Sequence, residues 1–164
     1  MNWHQSQRGF FSGALLDEMR ENENIYLLVG DLGFLVFDQH FLDFPKRTIN
    51  CGAAEQSLIG IAIGLALQGK IPFVYSISTF LIYRPFEAIK LYLNGENIPV
   101  KLVGSGRDKD YHIDGPSHDG TDIKKTLDTL LNINQRWPKE KEEIPDILQS
   151  MIQSNRPEFI SLRR

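Results

Sequence analysis

Two stretches decide how this chain is read: Arg47-Thr48-Ile49-Asn50-Cys51-Gly52-Ala53-Ala54-Glu55-Gln56, and Gly69-Lys70-Ile71-Pro72-Phe73-Val74-Tyr75-Ser76-Ile77-Ser78-Thr79-Phe80-Leu81. Arg47 to Cys51 reads as a short strand that breaks at Gly52 and opens a helix near Glu55. The helix dipole favours a carboxylate on the first turn, so Glu55 is stable there without a protein cation beside it. Gly60, Ala62, Gly64 and Ala66 stand among Leu and Ile in the helix that follows. Small residues let other backbones approach closely, which predicts a crowded, poorly hydrated place for Glu55. The plainer reading is a first-turn charge exposed to water.

Working outward, Phe10, Phe11, Ala14, Leu15, Leu16 and Met19 recur at helical spacing between Gln5 and Glu21, with Asp17, Glu18 and Arg20 on the polar side. Ile25 to Val29 is a continuous apolar run bounded by turn residues, as a strand buried on both faces of a parallel sheet requires. Gly30-Asp31-Leu32-Gly33 follows at its carboxyl end, the edge where ligands collect in open α/β sheets. An Asp after a strand is more commonly a turn cap. Phe34, Phe37, Phe41 and Phe44 make the next loop unusually aromatic, the mark of an interface if they are exposed.

Pro72 to Ile77 reads as a third strand and Thr79 to Leu93 as a long helix, with Pro85 separating its first turns from the main body. Pro99 to Val103 is a fourth strand. The segment after it, through Asp114-Gly115-Pro116-Ser117-His118, is polar, has no period and stands where binding loops are expected. Asp122 to Leu131 reads as a helix, Ile133 to Trp137 as a strand, Lys139 to Gln153 as a helix, and Glu158 to Leu162 as a strand that closes the sheet. This alternation predicts one α/β domain over residues 1–164, doubly wound, with a mainly parallel sheet and helices on both faces.

A chain of 164 residues, 41% hydrophobic and 24% charged, has the composition of a soluble globular domain able to bury a substantial core. A net charge of −3, interspersed along the chain, offers no basic field and disfavours nucleic acid. The single cysteine, Cys51, excludes an internal disulfide, fits a reducing compartment and reads as a small buried thiol. The N-terminal residues lack the apolar run of a signal peptide and no window approaches a membrane span, so a cytoplasmic protein is expected. His112 and His118 have no Cys or further ligand cluster nearby, which disfavours a metal pair.

Across Arg47 to Glu87 the chain resembles the pyrimidine-binding domain of the transketolase family of thiamine diphosphate enzymes. The family pattern runs P-x-R-x-I-N-x-G-I-A-E-Q, then a Gly/Ala-rich helix, then G-x-I-P-F-V-x-S-x-x-T-F-L. The matching residues are Pro45, Arg47, Ile49, Asn50, Gly52, Ala54, Glu55 and Gln56, then Gly69, Ile71, Pro72, Phe73, Val74, Ser76, Thr79, Phe80 and Leu81. The resemblance implies thiamine diphosphate as cofactor. Glu55 is implied as the acid that shares its proton with a nitrogen of the coenzyme's pyrimidine, a role that needs a carboxyl able to keep or share that proton. Phe80 is implied as the ring that stacks on the aminopyrimidine. Tyr83 and Phe86 fall where the family completes that apolar cup, and core packing is the plainer reading of both, favoured for Phe86. Asp31 and Leu32 match a D-L-G segment that lines the cofactor and meets a partner subunit. Asp114 and His118 match D-G-x-[ST]-H and are implied in binding the oxygens of a sugar substrate.

Many transketolases carry T-H-D after the fourth strand, where this chain has Ser105-Gly106-Arg107; Asp119-Gly120-Thr121-Asp122 approximates a pattern of deoxyxylulose phosphate synthases. The family grips the diphosphate and its Mg²⁺ through G-D-G followed by N-N, a run that this sequence lacks. A separately encoded diphosphate-binding subunit is therefore expected to hold Mg²⁺ and complete the site, with self-pairing giving a two-plus-two assembly. The implied reaction moves a two-carbon ketol unit between sugar phosphates. The alternatives are a subunit of a deoxyxylulose-phosphate-synthase-like or 2-keto acid decarboxylase enzyme, and a non-catalytic assembly subunit of the same fold.

Overall fold

The computed structural model describes residues 5–164; residues 1–4, part of the N-terminal stretch read above as lacking a signal segment, lie outside the described residues. Six strands, β1 (Ile25–Val29), β2 (Thr48–Asn50), β3 (Ile71–Ile77), β4 (Lys101–Ser105), β5 (Asn134–Arg136) and β6 (Glu158–Leu162), form one sheet in the order β2-β1-β3-β4-β6-β5. Every neighbouring pair is parallel. Parallel neighbours need crossover connections, and the helices supply them. These are α1 (Gln7–Glu21), α2 (Asp38–Asp43), α3 (Glu55–Leu67), α4 (Ser78–Tyr83), α5 (Phe86–Ala88), α6 (Ile123–Leu127) and α7 (Ile144–Gln153).

The central strands are apolar on both faces because both are covered. Phe11, Leu15 and Met19 of α1 and Leu148 and Met151 of α7 meet Leu27, Phe73, Tyr75 and Ile160 on one side. On the other, Leu58, Ile59 and Ala62 of α3 and Leu81 and Ile82 of α4 meet Leu28, Val74, Leu102 and Phe159. The sequence of α3 is apolar all round, which in a soluble helix calls for burial all round. Its outward face is nevertheless uncovered, with Gly60 and Gly64 exposed beside Ile61 at 42% and Leu67 at 66%.

Three details differ from the sequence reading. The last strand does not close the sheet: β6 lies between β4 and β5, and β5 is the edge. All five residues of β6 are buried, Glu158 included with its Arg136 partner at 2.9 Å, whereas β5 is half-buried throughout. The aromatic loop contains α2, and most of its rings turn inward. Phe37 is buried and Phe41 and Phe44 pack against the core, leaving Phe34, Leu35 and Leu42 as its exposed apolar residues. The helix expected from Thr79 is divided at Arg84-Pro85 as anticipated, but beyond α5 it widens into a π-helical segment, Ile89–Gly95.

Within α2, His40 is fully buried against the Phe37 ring. Burial, outweighing the nearby Asp43 carboxylate, lowers its pKa from 6.5 to about 4, with the Arg20 charge acting in the same direction. The unfolded chain takes up this proton as the pH falls through 6.5, the folded one only near 4. Stability on this account is complete above the first value and is lost toward the second, by up to roughly 3 kcal/mol. Melting temperatures between pH 7 and 4 should fall, and more steeply than in a His40→Gln variant. No helix among the described residues is long and apolar enough to cross a membrane.

Candidate active site

From β1 the chain passes to β2 on one side, and from β3 to β4 on the other, so the strand order reverses between β1 and β3. The crevice outside the carboxyl ends of two such strands is where α/β sheets bind ligands. Glu55, the first residue of α3, stands at this edge and is only 2% exposed. One oxygen, Oε2, accepts a hydrogen bond from Arg84 Nη1 at 2.7 Å, and Oε1 accepts one from Ser76 Oγ at 3.4 Å. A Cβ on Gly30, at the exit of β1, would lie 3.3 Å from Ser76 Oγ and 3.7 Å from Glu55 Oε1. Glycine at this position lets the β1 exit pass close to the acid.

The acid is therefore buried, but not through the small residues of α3, since Gly60 and Gly64 are exposed with nothing within 4 Å of a Cβ placed on either, and a cation does stand beside it. Arg84 ends α4 four residues after Phe80, a spacing that puts both side chains on one face of a helix. Its guanidinium carbon lies 3.8 Å from the centroid of the Phe80 ring. Phe80 in turn meets the His118 ring edge-on, with centroids 4.9 Å apart. Thr79 Oγ1 donates to the Ser117 carbonyl at 2.7 Å and fastens the His118 turn to α4, while His118 Nδ1 and Ser117 Oγ are 3.0 Å apart. Glu55, Arg84, Phe80 and His118 thus form a continuous line.

Other singled-out residues stand apart from this line. Tyr83 directs its hydroxyl to Thr126 Oγ1 at 3.1 Å, toward α6. Phe86 packs half-buried against the α3 side of the core. Asp114 is exposed on the turn before Gly115. Asp31 is exposed and left-handed, φ 55°, and Asn50 holds it through its backbone N–H and its carboxylate, both at 3.1 Å. The same Asn50 oxygen accepts from Gly52 N–H at 2.9 Å, so one amide fixes the exits of β1 and β2 together. Leu32 lines a separate apolar pocket with Phe34, Phe41 and Leu42. Cys51 is half-buried and burial raises its thiol pKa, which suits packing rather than nucleophilic attack.

Arg107 follows Gly106, which stands where many transketolases carry a substrate histidine, and its side chain turns into the protein. It is 8% exposed, donating from Nη1 to the Pro138 carbonyl at 2.8 Å, from Nε to Ser161 Oγ at 3.1 Å, and from Nη2 to the Ser161 carbonyl. Arg84, Ser76 and Asn50 are the residues whose roles sequence reasoning missed. Arg84 carried a readable signal in its spacing from Phe80 and the helix stop at Pro85.

The cleft that Glu55 faces is lined by Ala53, Ala54, Gln56, Ser57 and Arg84. A buried acid and an aromatic face already hold a flat nitrogen cation between them here, so the residues present fit an aminopyrimidine ring. Among the described residues no group of three or more His, Cys, Asp or Glu side chains is placed to hold a metal ion.

The family model for the transketolase pyrimidine-binding domain matches residues 5–164. The chain is 34% identical over 120 residues to a subunit of the apulose-4-phosphate transketolase of Actinobacillus succinogenes, covering 73% of this chain and 39% of that protein. It is 30% identical over 162 residues to 1-deoxy-D-xylulose-5-phosphate synthase 1 of Geobacter sulfurreducens, covering 96% of this chain and 24% of that protein. The structure is similar to that of a split-gene transketolase solved as an inactive beta4 tetramer, with a TM-score of 0.85 and 28% identity over 97% of this chain and 51% of that one. Transketolase from Leishmania mexicana shares the fold, with a TM-score of 0.88 at 19% identity over 99% of this chain and 26% of that one. The chain spans about half or less of the length of these proteins. On the family match across nearly its whole length, this chain belongs to the transketolase pyrimidine-binding domain family.

Proposed function

We propose that this chain is the pyrimidine-binding subunit of a split transketolase-like enzyme, which moves a two-carbon ketol unit between sugar phosphates in the cytoplasm. The observation that carries the proposal is Glu55, 2% exposed beside the Phe80 ring and within a line of side chains that reaches His118. Thiamine diphosphate, when bound, supplies an activated thiazolium carbon and an electron sink. Glu55 would hold a ring nitrogen and share a proton with it, Phe80 would carry the ring on its face, and His118 with Asp114 would bind the sugar's oxygens. Asp31 and Leu32 would line the far side near the subunit boundary. Tyr83 and Phe86 would shape the apolar wall behind Phe80.

We assign the diphosphate and Mg²⁺ to a separately encoded partner, with two copies of each chain in the assembly. In support, the Actinobacillus relative is named as one subunit of a transketolase, and a similar solved structure is a split-gene enzyme. A deoxyxylulose-phosphate-synthase-like reaction is the second reading. It is favoured by Gly106 standing where many transketolases place a substrate histidine, and by the Geobacter relative.

Purified chain, mixed with the product of a neighbouring gene that carries G-D-G and N-N, Mg²⁺ and coenzyme, is expected to turn over a ketose donor, whereas the chain alone is not. Turnover of pyruvate instead would select the second reading. Turnover by the chain alone would remove the partner.

A further inference from the structure

Arg84 makes both of the contacts that the proposed function gives to the coenzyme ring. Its guanidinium carbon is 3.8 Å from the centroid of the Phe80 ring, and its Nη1 is 2.7 Å from Glu55 Oε2. A guanidinium is a flat cation with donors in its plane, stacking through its face and bonding through its edge. An aminopyrimidine presents the same pair of features, a flat face and an N–C–N edge. Both would use the Phe80 face and the Glu55 carboxyl, the two groups that Arg84 now occupies.

We infer that Arg84 is a gate on the coenzyme-ring site. In the chain by itself the guanidinium fills the place between Phe80 and Glu55, and the ring enters only once this side chain has swung out. The inference rests on the ring-binding role proposed for Phe80 and Glu55.

Three observations distinguish a gate from a fixed strut. The Arg84 side chain is 45% exposed although its partner carboxylate is 2% exposed, so the outer half of the pair is free to move. Its backbone is held separately, by its N–H to the Phe80 carbonyl at 3.3 Å and by Gln56 Nε2 to its own carbonyl at 3.4 Å, so side-chain rotation alone opens the site. Ala53, Ala54, Gln56 and Ser57 line the cleft beside it with small or flexible groups that leave room for the swing.

The gate also has a lock. If Arg84 leaves with nothing in its place, Glu55 keeps only the Ser76 hydroxyl and is left a buried carboxylate without a counter-charge, which is unfavourable. Water is thereby a poor key, and a ligand that offers both a face to Phe80 and a ring nitrogen that shares a proton with Glu55 is a good one. The apparent affinity for such a ligand is reduced by the fraction of chains that stand open.

The test uses the full chain and 4-amino-2-methylpyrimidine, which keeps the ring and lacks the diphosphate, titrated by NMR, with a thermal melt confirming the fold of each variant. Arg84→Met keeps the unbranched stem of the side chain and removes the flat cation. It is expected to bind the probe roughly ten- to hundredfold more tightly than the unaltered chain. Adding Phe80→Ala or Glu55→Gln to it should abolish the gain. Equal binding by the unaltered chain and Arg84→Met, still lost with Phe80→Ala and Glu55→Gln, would overturn the gate and leave the ring site standing. Binding by neither chain, or binding indifferent to Phe80 and Glu55, would remove the ring site and the gate with it. Should Arg84→Met not fold, Arg84→Lys takes its place with a smaller gain expected, and equal binding again overturns the gate.

Discussion

Replacing Glu55 with Gln is expected to lower turnover of the assembled enzyme by roughly 10²- to 10⁴-fold, the usual reach of a positioned acid or base. Gln matches the shape of Glu: its amide oxygen can accept from Arg84, and its NH2 can donate to Ser76 Oγ, which now lie 2.7 and 3.4 Å from the two carboxylate oxygens. It cannot release or share a proton. The fold should survive, because Gln fills the same volume and the charge left behind, on Arg84, is 45% open to water and can be solvated. The decisive comparison is therefore rate against melting temperature. A variant that melts like the unaltered chain and works at the same rate would strip Glu55 of its role.

Arg107→Ala should destabilise the chain by about 2–4 kcal/mol, since it opens a cavity and leaves buried acceptors without donors. The melting temperature should drop by roughly 5–15 °C on the usual scaling for a domain of this size. The buried guanidinium joins the exit of β4 to Ser161 on β6 and to Pro138 beyond β5, with the Trp137 ring 5.6 Å away. Lys has no planar fork and would recover little of this. If Arg107 instead held substrate, the alanine variant would melt normally and show only a raised KM.

Much of the sheet was legible because period and punctuation agree there. Ile25–Val29 is an unbroken apolar run and Ile71–Ile77 is apolar but for Ser76, each ended by polar or glycine-rich turns, and strands of that kind lie between two covered faces. Burial of Glu55 was expected from the small residues of α3, yet Gly60 and Gly64 lie on its open face, and Ser76, Gly30 and Arg84 are what close around the acid. What stayed hidden depends on contacts distant in sequence. Nothing local says that β6 inserts between β4 and β5, because spatial order is set by which buried strand needs two neighbours. The loop aromatics could not be sorted into Phe37 and Phe34 without knowing which way α2 turns. Likewise, the charge of Arg107 and the ring of Tyr83 each admit an inward and an outward direction, and only packed neighbours select one. Arg84 escaped notice because the dipole of α3 already accounted for the carboxylate at Glu55.

The bare outer side of α3 carries a consequence for the cell rather than for the chemistry. A greasy ridge of Ile61 and Leu67, with glycines between them, is attractive to chaperones and proteases whenever nothing lies on it. Synthesis of this polypeptide is therefore best matched, molecule for molecule, to the supply of whatever shelters that ridge, and any surplus is expected to be short-lived.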